Sequence, residues 1–266
     1  MQDSPSWGVF IGGIINIKRK NMNRLFKVSL GVVLAVLPLA ASAQDIHWQV
    51  RGGIGQSTLF GGVSHIDERT GFHIGGGADI GLSKNGVWRF QPALQFAQKG
   101  WKFDGYYGNE QIMPAKFSTR LNYLQLPLQI AARLNLGKEW YLTFRTGAYV
   151  AYGLSAKTRM EILDTDHDET FGTNHFCEAF DFYHGAYDEE KHNVEYSQFD
   201  RWDFGAIGGI DLSYRHFIFG YQVAMGFTKL CDAGFIGNPI NNILSAALLG
   251  GHPKNISAEI SVGYQF

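Results

Sequence analysis

The 266-residue sequence predicts an all-β fold, an eight-stranded antiparallel up-and-down transmembrane β-barrel with short periplasmic turns and long extracellular loops. Three observations lead to this prediction. Apolar and polar residues alternate over eight segments with a period of two, which is typical of strands with two unlike faces. Tight turns and long connections alternate between those segments, as they do in outer-membrane barrels. A secretion signal precedes all of them.

The N-terminal part of the chain predicts export. Residues 22–43 begin with two cations, continue with an apolar run and end in Ala-Ser-Ala, which is the order of a cleaved signal peptide. The apolar run is too short to span a bilayer comfortably. Residues 1–21 precede this complete signal and are interpreted as an over-extended start. Residues 44–266 then form the barrel domain, and the expected location is the outer membrane of a Gram-negative bacterium.

The eight segments and their connections can be placed along the chain. The segments span approximately 47–57, 71–82, 87–103, 119–134, 140–156, 200–213, 217–229 and 254–266. Tight turns are expected at 83–86, 135–139 and 214–216, and long connections at 58–70, 104–118, 157–199 and 230–253. With an even number of strands, the tight turns share one rim with both ends of the barrel. Pro127 lies within the fourth segment, where a β-bulge or local widening is expected rather than a broken strand.

One face of each segment is bulky and apolar, and the other is small or charged. In the last segment, for example, Ile260 and Val262 alternate with Glu259 and Ser261. The interior of an eight-stranded barrel is only just wide enough to be filled by side chains, so it cannot hold all the large apolar residues. We therefore predict that the apolar face meets lipid, in contrast to a soluble lipocalin-like barrel, and that the charges face the lumen.

The predicted lumenal charges nearly balance, which favours ion pairing in a narrow interior. They are Arg51, Arg89, Lys99, Arg133 and Arg145 against Asp79, Asp203, Asp211 and Glu259. Glu259 is expected to pair with one of the five cations.

Aromatic residues at the segment ends predict interface anchors. At the turn rim they are Trp48, Trp88, Trp140, Phe217, Tyr264 and Phe266. At the opposite rim the candidates are Phe72, Trp101, Tyr152, Trp202 and Phe227.

The connection 157–199 holds eleven acidic residues against three Lys or Arg. Oxygen ligands at alternate positions in 164–169 suit calcium, but the glycine position of an EF-hand is occupied by Glu169. A solvated acidic loop is the favoured interpretation, and no metal is expected. Cys177 and Cys231 form a disulfide in an oxidising compartment if the fold brings them together, which spacing alone does not decide.

The sequence does not favour catalysis or nucleic-acid binding. His65, Asp67, His252 and Ser257 lie near the predicted loops, but no nucleophile motif surrounds them, so no catalytic residue or cofactor is expected. A formal net charge of −1 provides no basic field for nucleic acid.

Three motifs carry a family resemblance. They are Gly263-Tyr264-Gln265-Phe266, the segment Tyr123-Leu124-Gln125-Leu126-Pro127-Leu128, and the run from Phe90 to Gly100. Over about 47–266 the chain resembles the PorT-like outer-membrane β-barrel proteins. The resemblance implies an eight-stranded barrel in outer-membrane lipid, inserted by the barrel-assembly machinery, which reads a C-terminal aromatic residue, here Phe266. The founding member is associated with a protein-secretion apparatus, so envelope proteins are candidate partners.

The leading hypothesis is a non-enzymatic integral outer-membrane protein whose lumen is plugged by side chains. Its role would be structural, or interaction through the extracellular loops. The alternatives are a component or accessory of a protein-secretion apparatus and a lipid-modifying outer-membrane enzyme.

Overall fold

A computed structural model of the chain describes residues 45–61, 66–107, 113–162, 168–170, 176, 199–230 and 253–266. These residues form nine strands: β1 Ile46–Phe60, β2 Ile66–Gly81, β3 Trp88–Tyr107, β4 Met113–Gly137, β5 Trp140–Ile162, β6 Asp168–Thr170, β7 Trp202–Tyr214, β8 Phe217–Gly226 and β9 Lys254–Gln265. Across the described ranges, no helix is long and apolar enough to cross a membrane. The predicted signal peptide and the preceding residues lie outside these ranges.

Eight of the strands close into a ring. Each pairs antiparallel with its neighbour in the order β1, β2, β3, β4, β5, β7, β8 and β9. The ring closes where β9 returns to β1, with Tyr264 opposite Val50 and Ile256 opposite Thr58. The predicted eight-stranded antiparallel barrel is thereby confirmed. The short β6 lies outside the ring and pairs with β5 at 159–161, beyond the point where β7 begins.

The three predicted tight turns lie together at one rim. In the β4–β5 turn, Lys138 and Glu139 have φ angles of 51° and 66°. Positive φ at both central residues is characteristic of the type I′ turn, whose twist matches that of two paired strands. In the β2–β3 turn, Gly86 has a φ of 71° and donates its amide hydrogen to the Ser83 carbonyl over 3.0 Å.

The strands at the opposite rim are longer than the sequence predicts. The connections expected at 58–70 and 104–118 shrink to 61–65 and 108–112, because β1 extends to Phe60, β2 begins at Ile66, and β3 and β4 have 20 and 25 residues. This hairpin extension is held by the stacked rings of Phe103 and Phe117, which are directly paired with centroids 4.8 Å apart. The other two connections at this rim remain long.

The β4–β5 pairing has no bulge at Pro127, since its register continues from Leu126 opposite Val150 to Leu128 opposite Ala148. In the β3–β4 pairing the register is also unchanged, but the ladder is interrupted at Pro127, between Pro92 opposite Leu128 and Gln95 opposite Gln125. Proline removes one donor, and the flanking pairs are sufficient to hold the register. A bulge does lie five residues away, where Asn122 pairs with Ser155 and Tyr123 with Gly153.

The two faces of the barrel separate as the alternation predicts. In β8, Phe217 and Phe219 are 57% and 51% exposed, whereas the intervening Ile218 is 3% exposed. The same division puts most large apolar side chains outside and turns the nine predicted lumenal charges inward. At the turn rim, Trp48, Trp88, Trp140, Tyr264 and Phe266 all lie on the outer surface. Phe266 donates its amide hydrogen to the Trp48 carbonyl over 2.8 Å, joining the end of β9 to β1.

Candidate functional site: the lumen

The lumen nearest the turn rim is occupied by a group centred on Asp79. Its buried carboxylate lies 2.7 Å from Arg89 Nε, and Arg133 Nη2 donates a hydrogen bond to the second oxygen. Gln91 Nε2 donates to the first oxygen over 3.1 Å. β2, β3 and β4 each contribute a member, because their inward positions come to the same height. Two guanidinium groups therefore share one carboxylate.

A second group, centred on Asp211, lies farther into the lumen. Arg51 Nη2 is 2.8 Å from one carboxylate oxygen, and Arg145 Nε donates to the other over 3.1 Å. Arg145 Nη1 also donates to the side-chain oxygens of Gln129 and Gln222, each over 3.0 Å. These contacts link β1, β4, β5, β7 and β8 across the interior.

Glu259 is held by a residue that the predicted charge set did not include. Its carboxylate lies 3.0 Å from His73 Nδ1, and Gln222 Nε2 donates to it over 2.6 Å. The expectation that one of the five Lys or Arg residues would be its ion-pair partner is wrong. The reason is geometric, because β1 lies between β9 and β2 and its Gly53 and Gly55 leave room for both side chains. The sequence held one signal for this pairing, because the alternation in β2 directs His73 inward while its neighbours Phe72 and Ile74 face outward.

A third ion pair lies closer to the loop rim. Lys99 Nζ is 3.6 Å from Asp203 Oδ2 and 4.5 Å from the centroid of the Tyr149 ring. The Tyr149 hydroxyl and the Asn255 amide both donate to the same Asp203 oxygen, each over 3.1 Å. The ammonium group is 1% exposed, so a carboxylate and an aromatic face replace its hydration.

Near the loop rim, buried apolar side chains pack into one cluster, which we call the aromatic plug: Trp101, Phe103, Phe117, Leu121, Phe176 and Phe199. Trp101 is fully buried and makes an edge-to-face contact with Phe199, with centroids 5.5 Å apart. Phe176 packs on Gly153, where an added Cβ would lie 2.5 Å from the ring. The outward position considered for Trp101 is therefore wrong. Its odd number in β3 places it on the same face as Lys99.

The nine predicted lumenal charges thus lie in three groups at different heights rather than in one network. Gln222 connects the second group to Glu259, since it accepts from Arg145 and donates to Glu259. The glutamines, Tyr123, Tyr149, Asn255 and the aromatic plug were not singled out from the sequence. Cys177 and Cys231 lie outside the described residues.

The space left between the groups is small. A cavity of about 20 Å³ lies among polar side chains that include Arg51, His73, Gln95 and Gln129. That volume accommodates about one water molecule. In the part of the chain that the structure describes, no group of three or more His, Cys, Asp or Glu side chains is placed to hold a metal ion.

Residues 42–232 match the sequence model of the outer membrane protein beta-barrel domain family. The chain belongs to this family. It is therefore an integral outer-membrane barrel of a Gram-negative bacterium, with its tight turns in the periplasm and its long connections outside the cell. A comparison with curated proteins finds no match.

Several solved structures of bacterial surface proteins resemble this family member. The attachment invasion locus protein Ail of Yersinia pestis is 12% identical, and the alignment covers 84% of this chain and 100% of Ail with a TM-score of 0.40. Neisserial surface protein A is 9% identical over 84% of this chain and 100% of its own, with a TM-score of 0.36. Outer membrane protein OprG of Pseudomonas aeruginosa is 10% identical over 83% and 95%, with a TM-score of 0.34. Likenesses of this size transfer no ligand or activity.

Outside the lumen, one ion pair joins two periplasmic turns. Arg215 Nε donates to Glu139 Oε2 over 2.6 Å, and both side chains are more than half exposed. The hydrogen bond to Glu139 and the charge of that carboxylate raise the pKa of Arg215. Solvent screens the charges of such an exposed pair, so it can serve as a comparison for the buried ion pairs of the lumen.

Proposed function

We propose that the protein is a non-enzymatic outer-membrane barrel with a side-chain-plugged lumen, and that it acts structurally or through interactions of its extracellular part. The observation that carries the proposal is the layer formed by Lys99, Asp203, Tyr149 and Trp101, whose members are each less than 5% exposed. This layer lies across the path that an ion or solute would take, at the height where the third ion pair meets the aromatic plug.

The layers on either side add to this barrier. On the periplasmic side, the groups centred on Asp79 and Asp211 use their charges in pairing with one another. On the extracellular side, the aromatic plug adds an apolar layer. Removing one member of a buried ion pair to admit an ion would leave its partner uncompensated, which costs about 3–5 kcal/mol. Conduction would therefore require several unfavourable rearrangements at once.

The buried His73–Glu259 pair supports a non-catalytic role. The two side chains are 3% and 9% exposed, and the adjoining cavity has room for about one water molecule. A lipid or peptide substrate would have to enter between paired strands to reach them. We therefore favour a non-enzyme over a lipid-modifying enzyme.

The finer family assignment and the export route are also proposals. The PorT-like motifs support the assignment, since Tyr123–Leu128 lies within β4 at the level of the lumenal ion pairs and Phe90–Gly100 lies opposite it in β3. The charge and apolar pattern of residues 22–43 supports export by a cleaved signal peptide.

Single-channel recording tests the closed lumen. The refolded barrel is added to planar bilayers, with a large porin as the positive control and a heat-denatured sample as the negative control. We expect heat-modifiable gel migration, which shows a folded barrel, together with no stable conductance steps. Reproducible steps from the folded protein would contradict the plugged lumen.

The lipid composition of a deletion strain tests the absence of lipid-modifying activity. A lipid species that disappears on deletion and is restored only by the wild-type gene would contradict that absence.

A further inference from the structure

The outer surface of the barrel changes character just above its apolar band. On β4, β5 and β7 the band ends at Leu124, Leu154 and Trp202. Tyr152, just below Leu154, makes an edge-to-face contact with Trp202, with centroids 5.1 Å apart. Aromatic residues in this position mark the interface between lipid tails and headgroups. Outward-facing residues immediately beyond them therefore lie at headgroup height.

The first row beyond the band is polar and hydrogen-bonded across four strands. Arg69 Nη1 donates to Gln98 Oε1 over 3.2 Å, and Gln98 Nε2 donates to Asn122 Oδ1 over 3.1 Å. Asn122 Nδ2 continues the row by donating to Ser155 Oγ over 2.7 Å. These bonds orient the Arg69 side chain along the outer surface of β2, even though the odd-numbered positions that follow it in this strand, such as His73, face the lumen. The register shift between Glu68 and His73 accounts for this orientation.

The next row brings two cations together. Arg120 on β4 is the direct cross-strand partner of Lys157 on β5, and both side chains are exposed. Arg120 also acts on Arg69 as a like charge. Like charges directly opposite one another in a sheet destabilise it. A folded barrel that keeps this arrangement gains stability if an anion lies between them.

The third row adds cations at both edges and an acid at one of them, and further acids lie farther from the membrane. Lys102 and Arg159 are both paired with Ser118. Asp67 and Glu68 lie at the β2 edge, opposite Lys102 and Trp101. In the fourth row, Lys116 has Asp104 on one side and Glu161 on the other. The excess of positive charge is therefore confined to the two rows at headgroup height and to Arg69.

We propose that Arg69, Lys102, Arg120, Lys157 and Arg159, here called the basic patch, bind the phosphate groups of a phosphorylated glycolipid in the outer leaflet, of the lipopolysaccharide class. Directly opposed residues have Cβ atoms about 4.5–5.5 Å apart, so Arg120 and Lys157 can contact oxygens of one phosphate. Charged hydrogen bonds from Arg and Lys to phosphate are among the stronger ones in proteins. The lipid tails would lie against the apolar band directly below. This site goes beyond the proposed function and does not depend on whether the lumen conducts.

Native mass spectrometry of the full mature barrel in detergent tests the proposal. The probes are a bisphosphorylated lipopolysaccharide, the same lipid after phosphatase treatment, and inorganic phosphate. The patch variant is Arg120→Gln with Lys157→Gln. The control variant is Lys84→Gln with Lys138→Gln, which removes the same charge from exposed periplasmic turns. Heat-modifiable migration shows that each variant is folded before it is measured.

We expect the bisphosphorylated lipid to bind the wild type and the control variant equally, and the patch variant at least about tenfold more weakly, since that variant lacks two of the cations that attract anionic lipid. The dephosphorylated lipid should bind all three proteins with the affinity of the patch variant. Equal binding of the phosphorylated lipid by the patch and control variants would overturn the site. Equal binding of both lipids by the wild type would overturn the phosphate as ligand, and inorganic phosphate binding as tightly as the lipid would overturn the lipid as its source.

Discussion

Replacing Asp79 with Asn tests whether the buried ion pairs stabilise the barrel. The substitution keeps the shape of the side chain and one acceptor oxygen but removes the negative charge. The Arg89 side chain, which is 2% exposed, would then lose the carboxylate charge that pairs with it. Removing one partner of a buried pair costs about 3–5 kcal/mol, or roughly two to four powers of ten in the unfolding equilibrium. With a denaturant slope of about 1–3 kcal/mol/M, the urea midpoint should fall by at least about 1 M.

The assay is urea unfolding of the refolded barrel in detergent, followed by tryptophan fluorescence and by heat-modifiable gel migration. Glu139→Gln is the matched control, because it neutralises an acid in the exposed pair with Arg215. Its midpoint should equal that of the wild type. Asp79→Asn combined with Arg89→Met should recover part of the loss, because the uncompensated charge is removed as well. If Asp79→Asn unfolds at the same urea concentration as the Glu139→Gln control, the buried pairs do not stabilise the fold as argued.

Two further predictions concern the rest of the lumen. Trp101→Ala should lower the free energy of unfolding by about 3–5 kcal/mol, because it opens a cavity in the aromatic plug. The control, Trp202→Ala, removes a lipid-facing side chain and should lower it less. Equal losses in the two variants would contradict the buried placement of Trp101. Glu259→Leu should lower the free energy of unfolding by about 1–3 kcal/mol, because Gln222 loses its hydrogen-bond acceptor and His73 loses its charged neighbour. Glu259→Gln should lower it less. Thermal unfolding checks this second prediction, and an unchanged transition in Glu259→Leu would contradict it.

The strands were predictable wherever one face meets lipid. In β8 every second residue from Phe217 to Met225 is large and exposed, and the pattern cannot slip by one residue without exposing Gln222 to lipid. The strand extensions were not predictable in the same way, because outward residues above the lipid are polar and the alternation weakens. Lys157 and Arg159 were accordingly assigned to an acidic loop, although both lie in β5. The basic patch was missed for this reason.

The lumenal pairs were predictable as a set but not as partners. Alternation directs Glu259, His73 and the five cations inward, yet it says nothing about height or about which strands close the ring. Arg51 and Arg145 lie far apart in sequence and meet at Asp211 only because β1 and β5 face each other across the lumen. The pairing of Glu259 with His73 depends in turn on two small residues in β1 that separate them.

By itself, the sequence determined that this chain is an eight-stranded barrel with an apolar exterior, because the period of the alternation and the bulk of the outward residues are local properties. The tertiary structure decided which lumenal charges pair, how the side chains of the aromatic plug pack together, and how the cations above the apolar band gather on one side. These arrangements depend on register, on bulges such as the one at Asn122, and on contacts between strands distant in sequence. Such contacts form only when the ring closes, so no local pattern can encode them.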